Sequence, residues 1–323
     1  MTPPRVSLES LPVFPGTDRE YLPVNLGGNA FGWTSDEEAS RLVLDAFLDA
    51  GGSFVDTADA YSAWVDGHTG GESEAILGRW MADRGVRDRV LVATKVGAKP
   101  DRKGLARENV VRALEESLER LGTDRLDLYY AHYDDEAVAI AEQVETFDSL
   151  VRDGSVGAVG LSNYTPARMR EFFETAVREG AAVPAAIQPR YTLVSRADFE
   201  RDYAPIAAEF DAAVFSYPAL ASGFLTGKYR TPADFEGAPR GGAARRYFEA
   251  GGLQVVDALV EVGKRHDGAA PATVTLAWLL AKGVTAPIAS VSRAEQLPAL
   301  LAGPALTLTD DDVRLLDEAS AAF

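Results

Sequence analysis

The chain alternates apolar runs of strand length with amphipathic helical stretches, about eight times, from residue 21 to residue 289. The runs are 21–26, 53–55, 90–94, 126–131, 156–161, 183–187, 212–216 and 284–289. Strands separated by helices run parallel, because each helix returns the chain to its starting end. Two parallel architectures use this rhythm: an open doubly wound sheet and a closed (β/α)8 barrel. The first strand is not followed by a GxGxxG phosphate turn. Polar residues stand at the exits of many strands rather than at two. Both observations favour a (β/α)8 TIM barrel with additional C-terminal helices, as one domain over residues 1–323. No linker or low-complexity segment interrupts the 323 residues.

Several helices carry legible signals. Thr34 or Ser35 is the expected N-cap of the first, with acids in the turn that follows. Arg107–Leu121 has apolar residues at helical spacing, and Thr165-Pro166 opens another helix with proline first. Leu253–Arg265, Pro271–Ala281, 292–301 and 309–321 are the last helices expected. The stretch 231–250 is rich in Gly, Ala and Arg and is read as an irregular substrate-side loop, with Tyr247 and Phe248 able to close over a ligand.

The net charge of −17 disfavours nucleic acid and anionic membranes as partners. It also requires any anionic ligand to find its own local cations. With no cysteine, disulfides and thiolate chemistry drop out. Residues 1–15 lack a basic region followed by an apolar core, and no apolar stretch is long enough to span a bilayer, so a cytoplasmic location is expected.

Four side chains stand at or just past strand ends: Asp56, Tyr61, Lys95 and His132. Singly, each has a plainer account as a loop cap, a half-buried aromatic or a core histidine. On one rim they form an acid, a phenol, an amine and an imidazole suited to protonating a carbonyl oxygen. A lone lysine at the end of an apolar strand is costly unless paired, and Asp56 is the natural partner. A second set, Ser162, Asn163, Gln188 and Tyr217, has groups that hydrogen-bond a carboxamide and stack on a planar ring. Trp33 and Trp64 follow the first two strands and offer either rim packing or an apolar wall for a substrate. A metal-dependent hydrolase or lyase needs several His or carboxylate ligands at strand ends; only one histidine is so placed.

At these residues the sequence resembles the aldo-keto reductase family, in the bacterial branch related to potassium-channel β-subunits. The matching segments are GGSFVDTADAYS from Gly51, GESEAILGRW from Gly71, ATKVG from Ala93, SLERLGTDRLD from Ser117, VGLSN from Val159 and GFLTGKY from Gly223. The resemblance implies a barrel that binds NADPH across its C-terminal rim, with NADH the other candidate, and reduces a small-molecule aldehyde or ketone. By position, Tyr61 is the implied general acid, Lys95 lowers its pKa, Asp56 pairs with Lys95, and His132 orients the carbonyl. Ser162, Asn163 and Gln188 would meet the nicotinamide carboxamide over Tyr217. Leu220 to Lys228 would follow the pyrophosphate. Ser290, Ser292, Arg293 and Gln296 would hold the adenosine end. Four segments depart from the family pattern: Tyr217-Pro218-Ala219-Leu220, Gln188-Pro189-Arg190-Tyr191-Thr192, Ser290-Val291-Ser292-Arg293, and Pro298-Ala299-Leu300 where acidic and Asn residues are expected. The other function implied is a redox-sensing regulatory barrel with little turnover.

Overall fold

In the computed structural model, which describes residues 11–323, the eight apolar runs become eight parallel strands of one curled sheet. They are β1 (Asn25–Gly27), β2 (Phe54–Asp56), β3 (Leu91–Val96), β4 (Leu128–Ala131), β5 (Val159–Ser162), β6 (Ala186–Gln188), β7 (Ala213–Val214) and β8 (Ile288–Ala289). Their order in space is β8-β1-β2-β3-β4-β5-β6-β7. Backbone hydrogen bonds also link the two ends of this order. The Thr285 and Ala286 amides donate to the Val214 carbonyl at 2.9 and 3.3 Å, and the Ile288 amide donates to Ser216 at 2.9 Å. Of the segment read for a leader, residues 1–10 lie outside the described residues.

Side chains alternate across each strand and divide the core in two. Leu91 and Ala93 of β3 face inward with Phe54, Leu128, Tyr130, Ala186 and Phe215. Val92 and Val96 face the helical layer. Phe14 and Tyr21, which flank an antiparallel bridge between Val13 and Glu20, join the inner cluster. Phe14 meets the Phe54 ring edge-on at 4.9 Å, and Tyr21 does so at 5.7 Å. They cap the end where the strands begin. The opposite end, where Asp56, Lys95, Ser162 and Gln188 emerge, carries the polar residues.

The helices are α1 (Glu37–Asp49), α2 (Glu72–Arg84), α3 (Arg107–Leu121), α4 (Ile140–Arg152), α5 (Pro166–Glu179), α6 (Ala204–Glu209), α7 (Gly241–Glu249), α8 (Leu253–Arg265), α9 (Pro271–Ala281), α10 (Leu297–Leu301) and α11 (Asp310–Ala319). The cap of α1 differs from expectation. Asp36 accepts from the Ala39 amide, while Ser35 Oγ pairs with Ser40 and Thr34 with Ser292. A carboxylate is the stronger partner for the positive end of a helix. Thr165 caps α5 with Pro166 first, as its sequence indicates.

Residues 231–250 are more ordered than a loop reading predicts. A tight turn at Pro232–Phe235 leads into α7, where Ala243, Ala244, Arg245 and Arg246 favour helix over the glycines before them. Tyr247 packs against Phe224 at 6.0 Å. The helix expected over 292–301 is a 3-10 turn, Ala294–Gln296, followed by α10. A π-helical segment, Phe199–Tyr203, running into α6 had no counterpart in the sequence reading.

Gly78 lets α2 approach the end of α3. A Cβ there would lie 2.1 Å from the Arg120 carbonyl oxygen and 2.8 Å from Leu121 backbone atoms. Those backbone atoms cannot move aside as a flexible side chain would. Gly78→Ala should therefore cost about 1–3 kcal/mol, read as a lower denaturation midpoint in urea with an unchanged slope.

Candidate active site

Asp56 ends β2 and Lys95 lies one residue from the end of β3, so both side chains point into the mouth of the curled sheet. Both are fully buried. The Lys95 ammonium donates to Asp56 Oδ1, to the Thr57 carbonyl at 2.8 Å and to the Tyr61 phenol oxygen at 2.9 Å. All three of its protons are used. The other Asp56 oxygen accepts from Gln188 Nε2 at 2.9 Å, and the Tyr61 hydroxyl is 3.3 Å from Asp56 Oδ1. The His132 ring stands edge-on to Tyr61, with centroids 6.1 Å apart. The structure thus brings Asp56, Tyr61, Lys95 and His132 together at one rim.

Electrostatics set the protonation states. Burial, reinforced by the Asp56 carboxylate, pushes the Tyr61 phenol well above its usual range. This reverses the direction expected from an adjacent ammonium, because desolvation and the carboxylate outweigh it. Burial pulls Lys95 down, while Asp56 opposes that pull. Burial, and then the Lys95 charge, hold His132 well below the ordinary imidazole value. At neutral pH the site therefore holds a protonated phenol beside a neutral imidazole. Both can donate to a carbonyl oxygen.

From Tyr61 a groove runs along the rim past Trp33, Gln188, Tyr217, Leu220 and Gly223 to Lys228, Ser290, Ser292 and Gln296. It continues to Arg293. Ser222 and Gly223 take left-handed backbone angles (φ of 58° and 86°), which turn the chain sharply where it borders the groove. At the far end lie Lys228, Arg240 and Arg293, none within ion-pair distance of a carboxylate among the described residues. Burial lowers the Lys228 pKa, and the charges of Arg240 and Arg293 lower it further.

Other expected residues sit differently. Ser162 donates to the Gln188 carbonyl at 2.9 Å, and Asn163 donates to the His132 carbonyl at 2.8 Å. Tyr217 donates to Asn163 Oδ1 at 2.5 Å. Ser162 and Asn163 therefore brace the residues around the groove, and neither lines it. Gln296 bends back to accept from the Ser292 and Arg293 amides at 2.9 and 3.2 Å. Trp64 is half exposed and packs on Trp33 and Tyr61 at 5.5 and 6.2 Å. Sequence reasoning missed Asn29 and Arg240. Asn29 Oδ1 accepts from Ser290 Oγ at 2.7 Å and Arg240 Nη2 at 3.3 Å, and the Arg240 guanidinium lies 5.3 Å from the Trp33 ring centre. Arg240 sits in the stretch read as irregular, where only its charge in an acidic chain marked it.

Residues 23–321 match the sequence pattern described as the Aldo/keto reductase family. The uncharacterized oxidoreductase YrpG of Bacillus subtilis is 32% identical over 307 residues, covering 91% of this chain and 90% of that protein. A putative voltage-gated potassium channel subunit beta of Schizosaccharomyces pombe is 30% identical over 279 residues, covering 81% and 78%. The Escherichia coli protein tas is 30% identical over 295 residues, covering 82% and 84%.

Removing one partner of the buried pair leaves the other charge without compensation. Lys95→Met should cost about 3–5 kcal/mol of stability, and Asp56→Asn in the Lys95→Met background should recover part of it. Denaturant titration of the two variants measures both effects.

Proposed function

Because the chain belongs to the aldo/keto reductase family, we propose that it is an NADPH-dependent oxidoreductase that reduces an aldehyde or ketone to an alcohol, with Tyr61 as general acid. One observation carries this reading. A phenol fixed by a buried ammonium lies at one end of a groove whose other end holds three cations with no carboxylate partner among the described residues, in a chain of net charge −17. The hydrogen bonds between the ends of the strand order support a closed (β/α)8 barrel as the scaffold. No helix among the described residues is long and apolar enough to cross a membrane, in keeping with a cytoplasmic enzyme.

The donor set fits a dinucleotide phosphate. Tyr217 offers a ring face beside Tyr61, Leu220 to Gly223 border the middle of the groove, and Lys228, Arg240 and Arg293 match phosphate charge. Ser290, Ser292 and Gln296 line the same end. When bound, a reduced nicotinamide supplies the hydride that the carbonyl carbon receives. The protein's share is proton delivery and charge stabilisation. The carbonyl oxygen sits within reach of the Tyr61 hydroxyl and the neutral His132 ring. As negative charge grows on that oxygen, Tyr61 donates its proton, and Lys95, already bound to the phenol oxygen, stabilises the phenolate left behind. Asp56 and Gln188 hold Lys95 in place for this role. Trp33 and Trp64 form an apolar wall beside the phenol.

A regulatory reading draws on the relative named as a potassium channel subunit beta. It predicts tight cofactor binding with negligible turnover. The two readings separate in one comparison. Tyr61→Phe should lower kcat for aldehyde reduction by about 10²–10⁴-fold while NADPH still quenches tryptophan fluorescence. Binding without turnover in both wild type and variant favours the regulatory reading. A Tyr61→Phe enzyme as fast as wild type removes the assigned acid.

The cation cluster makes a second prediction. Arg293→Ala or Arg240→Ala should weaken NADPH binding by about tenfold or more and change NADH binding little, measured by fluorescence titration. Equal losses for both cofactors would place these arginines away from the extra phosphate.

A further inference from the structure

The groove accounts for Lys228, Arg240 and Arg293, but it does not account for a second pair of free cations on the same rim. Arg190 and Arg246 are both exposed, and neither lies within ion-pair distance of a carboxylate among the described residues. Most arginines of this acidic chain are paired. Both guanidinium groups instead converge on one neutral oxygen, the buried Tyr247 hydroxyl. Arg246 Nη2 donates to it at 2.7 Å and Arg190 Nη2 at 3.4 Å. With its oxygen accepting from both, the hydroxyl proton is left to donate outward. Three donor groups therefore meet where the described residues supply no anionic acceptor.

Their position ties them to the reacting end of the rim. Arg190 is two residues beyond Gln188 on the extended chain that leaves β6, so it shares the face on which Gln188 holds Asp56. It pairs in parallel with Tyr217, whose amide donates to the Pro189 carbonyl at 2.9 Å. Arg190 also lines a hollow with Asn163, the residue that receives the Tyr217 hydroxyl. Asp198 and Asp202 line that hollow too, but Arg201 engages both, at 2.9 and 2.6 Å. Neither Arg190 nor Arg246 lines the cofactor groove.

We propose that Arg190 and Arg246, with the Tyr247 hydroxyl, bind an oxyanion group carried by the substrate, so that the preferred substrates are aldehydes or ketones bearing a carboxylate or phosphate. This rests on the reductase reading above. Two forked cations and a phenol donor suit a planar or tetrahedral oxyanion. The exposed Trp64 and Tyr133 beside Tyr61 and His132 leave an aromatic flank for the body of such a molecule.

The test compares para-carboxybenzaldehyde, para-formylphenyl phosphate and the neutral methyl para-formylbenzoate as substrates of the NADPH-loaded enzyme. The expected result is a kcat/KM preference of about tenfold or more for an anionic aldehyde, expressed in KM and shrinking as salt is raised. Which anion leads distinguishes carboxylate from phosphate. Arg190→Gln and Arg246→Gln should each reduce the preference without weakening NADPH binding. Equal kcat/KM values for charged and neutral aldehydes in the wild type would overturn the proposal. So would a preference untouched by both variants, or a loss of NADPH affinity in its place. If no aldehyde turns over, the reductase reading fails on its own. Calorimetry of benzoate against benzamide with the NADPH complex then decides the anion site, and equal affinity would sink it.

Discussion

Everything at this rim hangs on a lysine and an aspartate buried side by side. Lys95 and Asp56 are fully buried, and each is costly alone. Together, with the Thr57 carbonyl and the Gln188 amide completing their hydrogen bonds, they form a satisfied network that links β2, β3 and β6. The third ammonium proton is spent on Tyr61. The phenol is thereby fixed, and its oxygen is bound to the charge that would stabilise a phenolate in the proposed reaction. Burial, with the Asp56 carboxylate, favours the protonated phenol. In the proposed reaction this makes Tyr61 an acid that is reluctant at rest, with a cation positioned for the moment of transfer.

The charge distribution complements this arrangement. A chain of net charge −17 repels anions overall, so its free cations carry information by their location. Lys228, Arg240 and Arg293 gather at the end of the groove, and Arg190 and Arg246 stand around Tyr247. Asn29 and Trp33 hold Arg240 from the loop after β1. The segment containing α7 thus serves more than packing: it brings Arg240 to one cluster and Arg246 to the other.

Much of the fold was legible because periodicity reports burial directly. β3 alternates inward Leu91, Ala93 and Lys95 with outward Val92, Thr94 and Val96, and α3 and α8 have the bounds their apolar spacing indicates. The four residues at the mouth were legible as a set: singly each has a plain explanation, but their convergence on one rim does not. Other features were not. The Asp36 cap and the broken turn before α10 depend on which of several neighbouring polar groups wins locally. The order of residues 232–249 comes from packing of Tyr229 on Phe235 and Tyr247 on Phe224, which no local pattern encodes. The bracing role of Ser162 and Asn163 depends on long-range partners, Gln188 for the first and His132 and Tyr217 for the second. The upward shift of Tyr61 could not be read from adjacency to a lysine, because it comes from depth.

The most direct test of the account follows an atom. NADPH deuterated at the transferring position of the nicotinamide, in each of its two stereoisomers, would be incubated with the enzyme and an aldehyde, and the alcohol analysed by mass spectrometry. The account predicts deuterium on the former carbonyl carbon from one stereoisomer and none from the other, since a nicotinamide held in the groove would present a single face to the substrate. Alcohol formed without label from either isomer, or with equal label from both, would contradict it.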